Sequence, residues 1–224
     1  KASSVPVLVL QWLTGREFGE GQPFLMNIAM GLSWSDQSGR PGWWGSTSFE
    51  CYNQNNGDMA AQSAWCREII SQRIRTWIDD PRDALRFFSI KLTTEWLEPS
   101  YMTLWFSECA AQPQTPIMEL AIHGSASNRL LVMVLDGMQT GLYFLSSIGL
   151  IETARIAWRR TCDTASLLLV GSIFSGCLCY VFWEAQSIYT LPFAFMMIPF
   201  CAMGICRIRD ALEKRYLPSI NRRL

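Results

Sequence analysis

The sequence predicts an all-α integral membrane protein, with three C-terminal transmembrane helices and a mostly helical and loop extracytoplasmic domain. Two observations predict it. Apolar runs at Leu130–Ile151, Ala165–Trp183 and Tyr189–Cys206 each approach the roughly 20 residues that cross a hydrocarbon core about 30 Å thick. Charge is also unevenly divided: residues 130–206 hold only Asp136, Glu152, Arg155, Arg159, Arg160, Asp163 and Glu184, whereas residues 14–129 hold most of the acidic groups, prolines and tryptophans. The chain averages of 50% hydrophobic and 17% charged residues conceal that division. A formal net charge of zero leaves no extended basic field of the kind nucleic acid requires, so no nucleic-acid partner is expected.

Taken in order, residues 1–13 include the apolar run Val5–Leu13, too short to span alone. It reads as the end of an upstream membrane or interfacial helix in a longer protein; the competing reading is a complete chain with a short buried strand or helix. Residues 14–129 form the extracytoplasmic domain. Within it Phe18–Asn56 is rich in Gly, Ser, Asn and Trp, with Arg40-Pro-Gly-Trp-Trp-Gly45 as turn punctuation, and reads as structured loop. From Asp58 a helix is expected, with Ile70, Ile74, Trp77 and Ile78 on one face. Asp79-Asp80-Pro81 ends it and starts another, Asp80 serving as N-cap and Pro81 as first helical residue. In that second helix Leu85, Phe88, Leu92 and Trp96 form an apolar stripe, and Glu98-Pro99 closes it. The aromatics of both helices lie beside Arg82, Arg86 and Lys91, a mixture suited either to a membrane–water interface or to the core of a small external domain.

Residues 130–206 are the spans and residues 207–224 a basic tail. Short loops rich in Lys and Arg stay cytoplasmic. Arg155, Arg159 and Arg160 follow the first span, and Arg207, Arg209, Lys214, Arg215, Arg222 and Arg223 follow the third. Both basic segments are therefore expected in the cytoplasm and residues 14–129 outside. Asp136, inside the first span, is expected to face protein or water. Cys177, Cys179, Cys201 and Cys206 read as apolar filler, Cys162 as a reduced cytoplasmic thiol, and Cys51, Cys66 and Cys109 as thiols on the oxidising side. Cys51–Cys66 is the candidate disulfide, with connectivity left open by the third cysteine. The single His123 reads as a loop residue, and neither a CxxC motif nor a nucleotide-binding glycine motif occurs.

Several segments resemble the C-terminal half of bacterial multi-spanning GT-C glycosyltransferases. They are Asn27-Ile-Ala-Met-Gly-Leu32 with Pro41-Gly-Trp-Trp44, then Asp80-Pro-Arg-Asp-Ala-Leu-Arg-Phe-Phe88 with Lys91-Leu92, Trp96-Leu-Glu-Pro-Ser-Tyr101 and Trp105, and finally Trp183-Glu-Ala-Gln-Ser-Ile-Tyr189 with Leu191-Pro192. The resemblance covers about residues 27–105 and 180–204, in the family's order. It implies an enzyme of the bacterial cytoplasmic membrane that moves a sugar from a polyprenyl-phosphate carrier to a glycan, lipid or protein acceptor outside. In that family the catalytic acid lies in an earlier external loop, so no residue here is expected to be catalytic. No cofactor is expected; a divalent metal is compatible with the family but has no support in these residues.

A lipid-linked sugar phosphate needs a cation or amide donors near the interface. Lys91 is the first substrate-binding candidate and Arg86 the second, against the plainer reading of Lys91 as solvated. Trp96, Glu184 and Tyr189 complete the set; Glu184 either binds an acceptor hydroxyl, orients Lys91, or sits in water at a span boundary. Ile188 stands where the family carries an Arg, removing any phosphate contact made there. A flippase of lipid-linked glycans and a non-catalytic adaptor subunit are the alternatives.

Overall fold

The computed structural model describes residues 4–15, 21–109, 115–116, 122, 125–159 and 163–220. His123, Arg160, Cys162, Arg222 and Arg223 lie outside them, as does the side chain of Cys109. The described elements are helical, joined by turns and two isolated β-bridges. The chain divides into two compact units, residues 1–91 with 182–185, and residues 92–181 with 186–224.

The first unit holds α1 (Ser4–Thr14), α2 (Leu25–Gly31), α3 (Thr47–Gln54), α4 (Met59–Asp79) and most of α5 (Pro81–Trp96). The expectation of loop throughout 18–56 is corrected by α2 and α3, each too short to display a helical period in sequence. They form because α2 packs on α3 and α4. Met26, Ala29, Met30, Cys51 and Cys66 make the shared core, flanked by Leu25, Trp65, Ile69 and Ile70. Asp58 caps α4 by accepting from Ala61 N at 2.7 Å, and Asp80 caps α5 by accepting from Arg82 N at 3.0 Å, the second as the sequence indicates.

The apolar faces are not where periodicity puts them. Ile74, Ile78, Leu85 and Leu92 are exposed, whereas Phe87, Lys91 and Glu95, spaced one turn apart on α5, are fully buried. Phe87 explains part of this reversal: its ring meets Trp34 at 5.7 Å and Trp77 at 5.2 Å, and the Arg73 guanidinium lies over it at 5.7 Å. The stripe expected at Leu85, Phe88, Leu92 and Trp96 is thus corrected to a buried row one residue out of phase.

The second unit holds α6 (Thr103–Cys109), α7 (Ser125–Trp158), α8 (Thr164–Phe182, whose last residue belongs to the first unit), the 3-10 turn Ser187–Thr190 and α9 (Leu191–Ile220). Among the described residues, three helical segments are long and apolar enough to cross a membrane: Ala126–Trp158, Thr164–Phe182 and Ser187–Arg215. The spans are therefore present at the expected places, but α7 and α9 exceed the apolar runs. At about 1.5 Å per residue, the 34 residues of α7 outreach a hydrocarbon core about 30 Å thick. Residues 207–220 continue α9, supported by Arg209 with Glu213 at 3.8 Å and by Arg207 with Glu152 at 3.3 Å. Asp136 is exposed on α7, not turned into this unit.

Helices α7 and α9 cross at glycines. A Cβ on Gly149 would strike the Phe200 carbonyl, and one on Gly204 would strike the Leu145 carbonyl. Each glycine thus faces the carbonyl one turn before the other glycine, and the contacts Ser146 with Met197, Gly149 with Phe200 and Thr153 with Met203 rise together along both helices, which therefore run the same way. Ser146 Oγ donates to Met197 O at 3.0 Å at the same crossing. Small residues here let two backbones approach where lipid supplies no hydrophobic drive.

Candidate functional site

Each unit holds one polar cluster, and the first is built on a sequence-predicted residue. In the first, Lys91 Nζ donates to Gly31 O at 2.7 Å and to Trp183 O at 2.6 Å. Three distant stretches meet on one ammonium. The surroundings are shaped for it: Gly42, at φ +74, would place a Cβ 2.6 Å from Lys91 Cε, and a Cβ on Gly31 would strike the backbone of Phe182 and Trp183. Ala185 N donates to Gly42 O at 2.7 Å, and the Trp183 ring meets Phe24 edge-on at 4.8 Å. Lys91 is completely buried and Glu184 is 8% exposed, which corrects both readings that left them in water. Arg86 is exposed on α5, so the two candidate cations occupy opposite environments.

The second cluster centres on Glu98, a residue the sequence reading used only as a helix stop and as part of a motif. Its Oε1 accepts from Ser100 N at 2.9 Å and from Ser100 Oγ. Its Oε2 accepts from Met102 N at 2.6 Å and Ser187 Oγ at 2.6 Å. Burial alone would raise its pKa, but the donors from Ser100, Ser187 and Met102 outweigh it and hold the carboxyl below its ordinary 4.5. The loop it grips carries two consecutive non-glycine residues at positive φ, Tyr101 at 49° and Met102 at 64°, a conformation that persists only where surroundings enforce it.

Trp96 and Tyr189 fall in this same unit, linked through aromatic rings. Trp96 meets Phe193 at 5.8 Å, Phe193 meets Tyr180 at 6.1 Å, and Tyr180 stacks on Tyr189 at 5.7 Å and 16°. Tyr143 OH donates to Trp96 O at 2.8 Å. The Trp96 indole Nε1 is buried without a hydrogen-bond partner among the described residues, the kind of group that calls for an explanation in a packed site. The structure thus joins Lys91 to the segment bearing Glu184 and gathers Trp96 with Tyr189, while Arg86 stands at the surface.

Cys51 and Cys66 are both buried free thiols. Among the described residues no group of three His, Cys, Asp or Glu side chains is placed to hold a metal ion.

Glu98, Ser187, Gly31 and Gly42 are the residues sequence reasoning missed as site members. Glu98-Pro-Ser100 offered a local signal only in that the carboxylate stands within reach of the Ser100 N–H and hydroxyl, which both donate to it. The partnership with Ser187 is purely tertiary.

What the fold defines is a class, the α-helical integral membrane proteins, with apolar helices that contact lipid. Comparison of the chain with protein-family models, curated proteins and solved structures finds no match.

Proposed function

We propose that this chain is part of a membrane glycosyltransferase that transfers a sugar from a polyprenyl-phosphate carrier to a glycan, lipid or protein acceptor on the outer face of the bacterial cytoplasmic membrane. One observation supports the reading: the separated motifs that carry the glycosyltransferase resemblance are the ones that meet. The glycine of Ala29-Met-Gly31 and the Trp183 carbonyl share Lys91, and the glutamate of Trp96-Leu-Glu98 takes the Ser187 hydroxyl.

Burial divides the roles among the candidates. A phosphate could reach Lys91 only by displacing backbone carbonyls that it already serves, so Lys91 is a positioning residue that fixes the Trp183–Glu184 segment. Arg86, exposed and planar, suits a phosphate better through charge-assisted paired hydrogen bonds. Glu184 is the acceptor-side carboxylate of the first unit. In the second unit, Trp96 and Tyr189 supply aromatic surface and the unsatisfied indole N–H. No residue of this chain is assigned as the catalytic base.

The test is transfer itself. Membranes containing the full-length protein, given radiolabelled polyprenyl-phosphate sugars, should release label into an acceptor. Label that changes sides without forming a new bond would instead mark a flippase. Absence of both, with every such donor, would leave an adaptor subunit.

A further inference from the structure

We propose that Cys51 and Cys66 are a disulfide-forming pair that staples α3 to α4. The inference is independent of sugar transfer and rests on placement. Cys51 Sγ lies 4.0 Å from Gln62 O, and Gln62 sits one helical turn before Cys66 on α4. Side chains on a helix lean toward its N-terminus, so the Cys66 thiol leans over the turn that Cys51 touches. Both side chains have no exposed surface and share one small core cluster. Each thiol acts on the other across this contact, as befits neighbours in one packed core.

The intervening chain is built to bring them together. It turns back through Asn56 and Gly57, at φ 51° and 75°, and Asn55 Nδ2 donates to Cys51 O at 2.8 Å and to its sulfur at 3.7 Å. Met26, Ala29 and Met30 pack around the pair, and among the described residues no cation acts on either thiol to stabilise a thiolate. Burial, followed by the neighbouring Cys51, pushes the Cys66 thiol up to about 12. The pair is therefore inert once packed, and closure belongs to the folding stage, when both sulfurs are still open to solvent.

Closure is a thiol–disulfide exchange. Each cysteine gives up its S–H hydrogen as a proton, the two sulfurs share a new S–S bond, and the two electrons reduce an external small-molecule or protein disulfide to two thiols. The reaction needs an oxidising compartment, which the outward placement of residues 14–129 would supply.

Intact full-length protein, denatured in N-ethylmaleimide without reductant and cleaved on the N-terminal side of aspartate, tests this directly. Cleavage at Asp58 separates the two cysteines, so only a disulfide keeps their peptides together. The expected product is one cross-linked species, two hydrogens lighter than the summed peptides, that falls apart with dithiothreitol. Recovery of both peptides alkylated, even after the protein is refolded with oxidised glutathione, would overturn the proposal. So would a cross-link from either cysteine to Cys109.

Discussion

Glu98 and Ser187 lie 89 residues apart in sequence and share a 2.6 Å hydrogen bond from the serine hydroxyl to the carboxylate. The bond ties the loop after α5 to the 3-10 turn that opens the last span. Ser187→Ala should lower stability by about 1.5–3 kcal/mol, the range for hydrogen bonds to charged groups, read as a fall in the melting midpoint in detergent. Because the folded pKa of Glu98 is depressed, its contribution is complete above the ordinary value of 4.5 and is lost as pH falls through the lower folded value. The stability gap between wild type and Glu98→Gln should narrow with acidification below 4.5 and stay constant above it. A gap independent of pH would separate Glu98 from this role.

Lys91→Ala leaves the carbonyls of Gly31 and Trp183 without their donor. At about 1–3 kcal/mol for each buried unsatisfied group, the variant should be markedly unstable, and Lys91→Met should recover packing but not stability. Gly42→Ala attacks the same cluster from the other side. Its comparison is Gly39→Ala, which shares a positive φ of 65° but has nothing within 4 Å of the added methyl. Both should lose the roughly 1–2 kcal/mol of a left-handed L-residue. Gly42→Ala should lose more, because Lys91 Cε stands in the way.

The glycine crossing of α7 and α9 gives a sharper contrast. Gly149→Val and Gly204→Val each drive a side chain into a carbonyl of the facing helix and should cost about 1–3 kcal/mol or more as overpacking. Gly141→Val, on the same helix with open space around it, should be tolerated. Thermal unfolding followed by cysteine accessibility in detergent would rank the three. Equal effects would mean that the crossing is not a close contact.

Under the proposed transfer reaction, Arg86→Ala should reduce kcat/KM by about 10–100-fold, the consequence of losing one charged hydrogen-bonding group worth about 1.5–3 kcal/mol. The melting midpoint should hardly move, since Arg86 is exposed. Partial recovery by Arg86→Lys would mark a phosphate contact. Unchanged turnover in Arg86→Ala would remove the residue from the site.

The spans were legible in the sequence because their signal is additive: twenty apolar residues announce themselves whatever they pack against. The cap at Asp80 was legible because it acts within two residues. The face of α5 was not. Periodicity assumes that apolar side chains turn inward, and here Lys91 turns inward toward carbonyls contributed by Gly31 and Trp183, which no local pattern reveals, while Leu85 and Leu92 turn out. The short helices α2 and α3 escaped for the same reason, since a turn or two of helix takes its direction from the core it joins. Trp96 and Tyr189 were found as individuals, but the carboxylate clamp beside them was hidden in its remote partner.

The Lys91–Trp183 contact also sets an order of events during synthesis. The acceptor carbonyl is made 92 residues after the lysine, so at about 5–20 residues per second the ammonium waits roughly 5–20 s for its second partner. Two helices of membrane-spanning length are made in that interval. The first unit therefore cannot close on its own emergence from the ribosome; it is sealed from behind, by a segment delivered only after α8 has been threaded.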